Sequence, residues 1–290
     1  MLIATTLKSP GVVIFQLQYI MNLTKKNTKV RVAFLGFILF LLVTGSAMFI
    51  SMHFFNAQYG SPLMIRFMSP AEIIMILIST LIIIRYFKWK EIGFIAPPQR
   101  KSLLWLLPVY LVLMLGWGLL LLDFKNLTIS SEQWNTFWIF GFVTLLVGIA
   151  EELMFRGIIL HALLDKISPR KAVIVSALAF SLLHSINIIG GVPIEGMILQ
   201  LGLTFIAGFY LAGVMVKIKS IIPLIVWHWL WDYMTLSSDL LGHKTSEIIM
   251  VTLILAELVL GLIIWLGLKT SDNNKLAKAG TSRTLYEKIK

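Results

Sequence analysis

The chain contains no cysteine, which removes disulfides, thiolate metal sites and a cysteine nucleophile at once. It is also poor in charge: Asp, Glu, Lys and Arg make up 13% of 290 residues, against 58% hydrophobic residues. A soluble domain of this length needs many more charges to cover its surface, and a mean hydropathy of +0.88 puts the chain in the membrane class. Its apolar residues fall in blocks and lack the period-two alternation of an outer-membrane barrel, so the fold class is an all-α, polytopic transmembrane helical bundle. Acidic residues are the scarcer sign, 14 against 25 Lys and Arg. The basic excess is spread among short loops between apolar blocks, where it sets topology and contacts anionic lipid; nucleic acid is therefore excluded as a partner.

A bilayer core needs roughly 20 apolar residues per helix. Eight spans are expected, near 32–52, 68–84, 103–122, 137–161, 172–189, 197–216, 220–236 and 248–268. Pro70 and Glu72 stand at the start of the second, and Pro223 suits the first turn of the seventh. With both termini cytoplasmic, the basic residues collect in the N-terminal segment, in the loops after spans two, four and six, and in the tail. Only Arg66, Lys125 and Lys244 remain on the outer side, and Arg156 lies within span four. The organisation is a cytoplasmic or interfacial segment 1–31, a single transmembrane domain 32–268 and a basic cytoplasmic tail 269–290, in a multi-pass protein of the cell membrane. Residues 1–22 are interrupted by Lys8, Pro10 and Gly11, and Met21 opens a more conventional N-terminus followed by Lys25, Lys26, Lys29 and Arg31. Translation is accordingly expected to start at Met21.

Burying a charge in lipid costs several kcal/mol, so ionisable residues within spans face the bundle interior and serve a function. They are few: Glu151, Glu152 and Arg156 in span four, His184 in span five, His228 and Asp232 in span seven, Glu72 in span two, and Glu257 in span eight, which has no evident companion. At ~1.5 Å per residue, Glu152, His184 and His228 lie roughly 12–18 Å from the cytoplasmic ends of their helices. Nothing local to each helix requires that common depth, whereas a shared buried site does. Glu152 and Arg156 are i and i+4 and within ion-pair reach, while Glu151 points about 100° away and is the better candidate for a general base. His228 and Asp232 share one face, as do Phe180 and His184, where the ring can wall the site against lipid.

Plainer roles compete for some of these residues. A lone membrane histidine more often bonds between helices than catalyses. His53 and His161 stand near span ends and read as interfacial, and His243 falls in an outer loop. Trp227, Trp229 and Trp231 flank His228 and serve either as packing bulk or as the lining of an apolar groove. Gly141, Gly148, Gly202, Gly208 and Gly213 read as positions of close helix packing.

Three motifs stand in order on separate helices: Glu151-Glu152-Leu153-Met154-Phe155-Arg156 fits E-E-x-x-x-R, Phe180-Ser181-Leu182-Leu183-His184 fits F-x-x-x-H, and His228-Trp229-Leu230-Trp231-Asp232 fits H-x-x-x-[ND]. Together they resemble the CAAX prenyl protease and bacteriocin-processing (CPBP, abortive-infection) family of intramembrane proteases, over about residues 137–236. The resemblance implies an endopeptidase in which Glu151 activates the attacking water with help from His184. His228 and Asp232 stabilise the oxyanion, and Glu152 and Arg156 are structural or substrate-orienting partners. It further implies a peptide or lipidated-peptide substrate, and roles in peptide maturation or bacteriocin immunity. The eukaryotic prenyl-protease branch typically has Asn where Asp232 stands, and an ionised Asp cannot donate to an oxyanion. Asp232 is therefore protonated, or orients His228, or binds a metal. The family is also called metallo-, which makes Glu151, His184, His228 and Asp232 candidate zinc ligands, although the chain has no H-E-x-x-H and a metal-free glutamate mechanism is preferred. The competing functions are a non-catalytic membrane scaffold or immunity protein and a proton-coupled transporter. The transporter ranks last, because no internal repeat or broken helix is evident.

Overall fold

The computed structural model describes residues 10–124, 127–242 and 246–270. Among them the chain is helical throughout, with no strand. The main elements are α1 (Pro10–Phe55), α2 (Pro62–Tyr86), α3 (Leu107–Asp123), α4 (Ser131–Glu152), α5 (Leu160–Leu164), α6 (Pro169–Leu183), α7 (Ile194–Ile218), α8 (Ile222–Leu241) and α9 (Ser246–Leu266). A π-helical segment, Leu153–Ile159, joins α4 to α5, and a 3₁₀ turn, His184–Ile188, extends α6. Six helical stretches are long and apolar enough to cross a membrane: 24–55, 62–86, 131–164, 169–188, 194–218 and 247–266. The Leu107–Leu122 stretch is apolar but shorter, and α8 carries His228, Asp232 and Asp239 among its apolar residues. Leu81, Ile84, Ile198 and Ile248 are all about two-thirds exposed on the outer face, the placement of side chains that meet acyl chains.

Helix ends follow local chemistry. Ser61 caps α2 ahead of Pro62, Ser130 and Gln133 form a capping box on α4, and Gly242 closes α8 in the left-handed region at φ 67°. Two elements differ from the sequence reading. The helix that contains the first expected span, 32–52, begins well before it: α1 is a single 46-residue helix from Pro10. Pro10 is tolerated in the first turn, and the basic stretch that follows is held by tertiary partners. Lys29 pairs with Glu91 and, at 3.6 Å, with Asp165, while its ammonium lies 4.7 Å from the Phe87 ring centroid. Lys26 Nζ donates to the Asp165 carbonyl at 3.0 Å. The helix around the second expected span, 68–84, likewise begins earlier, at Pro62, which leaves Pro70 inside the helix. Pro70 cannot donate to the Arg66 carbonyl, and the Ser69 hydroxyl donates to that oxygen instead, at 2.9 Å.

The basic loops gather at one end of the bundle. The Lys26–Lys29 turn meets Glu91 and Asp165. Gln99 N–H donates to the Ile218 carbonyl, and Ile221 N–H to that of Gly93. Arg170 donates to the carbonyls of Leu266 and Leu268. Lys125, His243, Lys244 and the tail beyond residue 270 lie outside the described residues.

Helix α4 packs chiefly on α8 and α2, α6 on α7, and α7 on α9. Glycine sets the closest approach. A Cβ at Gly148 would stand 3.2 Å from the Ile225 carbonyl oxygen and 3.3 Å from Trp229 N, and one at Gly208 3.0 Å from Phe180. Gly202 departs from the expectation: nothing lies within 4 Å of its Cβ position, because that face of α7 is open.

The absence of native cysteine makes this packing directly testable. A Cβ at Gly148 lies 3.7 Å from His228 Cβ, within the span a disulfide bridges. The double variant G148C/H228C is expected to lose both maleimide-reactive thiols on mild oxidation, while G202C/H228C retains them. Persistent labelling of the first pair would contradict the α4–α8 register.

Candidate active site

Helices α4 and α8 run side by side because Gly148 permits it, and this brings their polar residues together. Glu152 is fully buried and its Oε1 accepts twice: from Arg156 Nη1 at 2.7 Å and from His228 Nδ1 at 2.9 Å. The expected Glu152–Arg156 pair is thus formed, and the same oxygen also holds the histidine. Arg156 is itself fully buried and lies in the π-helical segment. Its guanidinium carbon sits 4.2 Å from the Phe180 ring centroid, a cation–π contact that further compensates the buried charge. The Arg156 carbonyl in the π segment is in reach of His161, five residues on, whose Nδ1–H donates to it at 2.8 Å. His161 therefore closes this segment.

Phe180 joins the groups. Its ring packs edge-on against His184 at 5.0 Å, His228 at 5.9 Å and Phe155 at 5.2 Å between centroids. His184 opens the 3₁₀ turn, and its Nδ1–H donates to the Phe180 carbonyl at 3.0 Å. That bond leaves Nε2 as the free ring nitrogen.

Because Glu152 accepts from His228 Nδ1, the other nitrogen of that ring faces the remaining acids. His228 Nε2 is 3.8 Å from Glu151 Oε2 and 3.4 Å from Asp232 Oδ2. Neither is a close hydrogen bond. A bare lone pair there would oppose carboxylate lone pairs, so the cluster holds at least one proton on Nε2 or on an acid. Glu151 is 7% exposed and its Oε2 has no hydrogen-bond partner.

Glu151, His184, His228 and Asp232 all line one cavity of about 330 Å³, a size at the low end of small-ligand pockets (roughly 300–1,000 Å³). Glu152, Arg156 and Phe180 stand behind this wall and do not line it. Trp231 lines the cavity and stacks on the buried Trp227, while Trp229 Nε1 donates to the Gly141 carbonyl at 2.8 Å.

Several lining residues carry no motif. Gln200 Oε1 accepts from Asn187 Nδ2 at 3.1 Å, and Gln200 Nε2 donates to the Tyr59 hydroxyl at 2.9 Å. This chain ties the α1–α2 loop, the 3₁₀ turn and α7 at the cavity edge. Asn187 follows His184 by three residues, one 3₁₀ turn, and that spacing was the available signal. Glu72 of α2 also lines the cavity. Glu257 of α9 is 1% exposed and lies within electrostatic range of Arg156, the companion its sequence context did not reveal.

Among the described residues no three His, Asp or Glu side chains form a group that would hold a metal ion. The Nδ1 atoms of His184 and His228 are engaged by Phe180 and Glu152, an arrangement that a zinc-ligating histidine also has, so it argues neither for nor against a metal.

Removing one partner of a buried pair strands the other charge, at about 3–5 kcal/mol, whereas removing both is often tolerated. R156M is expected to lower unfolding stability in detergent by about that amount, and E152Q/R156M to recover part of it. Equal stability of R156M and wild type in a denaturant titration would contradict the pairing.

A search of curated proteins finds no match to this chain. Residues 133–234, which contain all three motifs and the α4–α8 pair, match the family model described as type II CAAX prenyl endopeptidase, Rce1-like, and over that stretch the resemblance drawn from the motifs is a family match.

Proposed function

We propose that this protein is an intramembrane endopeptidase that uses Glu151 to activate water against a peptide bond near the bilayer. The observation that carries the reading is the convergence of Glu151 and the Nε2 edge of His228 on one cavity bounded by membrane helices. Glu151 takes a proton from water, and the resulting hydroxide attacks the scissile carbonyl. His184 Nε2, fixed by the bond from Nδ1–H to the Phe180 carbonyl, positions that water. His228 donates Nε2–H to the oxyanion, its opposite side anchored on Glu152. As the tetrahedral adduct collapses the C–N bond breaks, and the proton held by Glu151 passes to the leaving amine. Asp232, 3.4 Å from His228 Nε2, orients the imidazole and stabilises its charged form. A positioned base and donors aimed at developing charge are what this chemistry requires.

In this reading α3 and α8 complete eight crossings, and the end of the bundle where the basic loops gather is cytoplasmic, with both termini there. The substrate is a membrane-associated, lipidated or secreted peptide, and the cellular role is peptide maturation or bacteriocin immunity at the cell membrane.

A general base of this kind contributes roughly 10²–10⁴ in rate. E151Q and H184A are each expected to lower peptide cleavage by purified protein at least about 10²-fold without loss of the folded species. Cleavage at the wild-type rate in both would remove the endopeptidase reading. A phenotype that survives E151Q would leave a scaffold or immunity protein. Cleavage is also expected to persist after dialysis against 1,10-phenanthroline. Its loss, with recovery on added zinc, would replace the metal-free mechanism.

A further inference from the structure

The cavity is unbalanced in charge. Among the described residues its ionisable lining comprises the acids Glu72, Glu151 and Asp232 and the imidazoles of His184 and His228, with Tyr59 at its edge and no Lys or Arg. The nearby buried cation, Arg156, is bonded to Glu152 and does not line the cavity. Glu151 and Asp232 both face His228 Nε2. Glu72 has no such company. It is 4% exposed, it comes from α2, outside the stretch that matches the family, and its Oε2 has no hydrogen-bond partner. It lies within electrostatic range of Glu151, Asp232 and His228.

An unpaired carboxylate buried beside two further acids is poorly solvated and repelled. Any cation that enters the cavity stabilises all three acids at once, and the loss of water around it strengthens the attraction. A carboxylate terminus meets the opposite balance. We propose that Glu72 is a specificity-determining residue that receives a cationic group of the substrate, a Lys or Arg side chain or a free amine flanking the scissile bond. The inference rests on the endopeptidase reading for its substrate class. The site itself requires only that a peptide enters the cavity.

The test uses the full chain in detergent and N-acetylated, C-amidated decapeptides of Leu, Ala and Phe. Each carries one Lys, scanned through the sequence, and is paired with its norleucine counterpart. A third set carries norleucine and a free N-terminus, which separates a terminal amine from a side chain. Binding and cleavage are read in the same samples. Wild type is expected to bind the best cationic peptide about tenfold or more tightly than its neutral match. E72Q is expected to lose that ratio, and E72D, which keeps the charge, to retain a preference. Equal binding of cationic and neutral peptides by wild type overturns the proposal, as does a preference that survives E72Q. If E72Q does not fold, the wild-type ratio and its change in E72D decide. Cation-selective binding without cleavage leaves the Glu72 site standing and removes the protease reading, while cleavage without cation preference does the reverse.

Discussion

One carboxylate oxygen organises the centre of this protein. Glu152 Oε1 accepts from Arg156 on its own helix and from His228 on α8, in a place with no access to solvent. Each partner needs the others: the guanidinium would be an uncompensated buried charge without Glu152, and His228 would have no fixed ring orientation. Breaking any one bond strands a charged group in a medium that solvates it poorly. Because Glu152 holds Nδ1, Nε2 of the same ring is turned toward Glu151, Asp232 and the cavity. The adjacent acids in the sequence are thereby divided, one to structure and one to the cavity wall.

The surrounding architecture serves that arrangement. Gly148 lets α8 approach α4, the π-helical segment places Arg156 beneath the Phe180 ring, and Phe180 contacts both histidines. The aromatic ring thus packs between the buried guanidinium and the two cavity-lining histidines. The outer face carries large exposed apolar side chains, so the polar cluster is bounded by helices that themselves require lipid.

Much of this was legible in the sequence, for physical reasons that can be named. An ionisable residue within an apolar run is costly enough that its presence marks an interior position, which singled out Glu151, Glu152, Arg156, His184, His228 and Asp232. The i, i+4 spacing of Glu152 and Arg156 gave their ion pair. What escaped depends on tertiary contact. The early start of α1 rests on Lys26 and Lys29 finding Asp165 and Glu91 far along the chain. Pro70 stays helical because Ser69 supplies the missing donor. The π segment has no sequence signature of its own. Its closure depends on His161, and Gly157, also within it, faces Ile92 and Ile221 from distant elements. Glu72 was visible as an acid in a span, but only the fold shows that α2 carries it to the cavity that the motif residues line.

The central claim is that acid and imidazole groups from three helices meet in a cavity that water enters from outside the lipid. In this cysteine-free chain, Thr204→Cys and Thr235→Cys place single thiols in the cavity wall, and Phe142→Cys and Leu178→Cys place them on the exposed apolar face. Labelling of each variant in intact proteoliposomes with a charged, membrane-impermeant methanethiosulfonate tests the claim most directly. The account predicts reaction at positions 204 and 235 and protection at 142 and 178. Protection of the cavity thiols, with labelling of the lipid-facing pair, would contradict it.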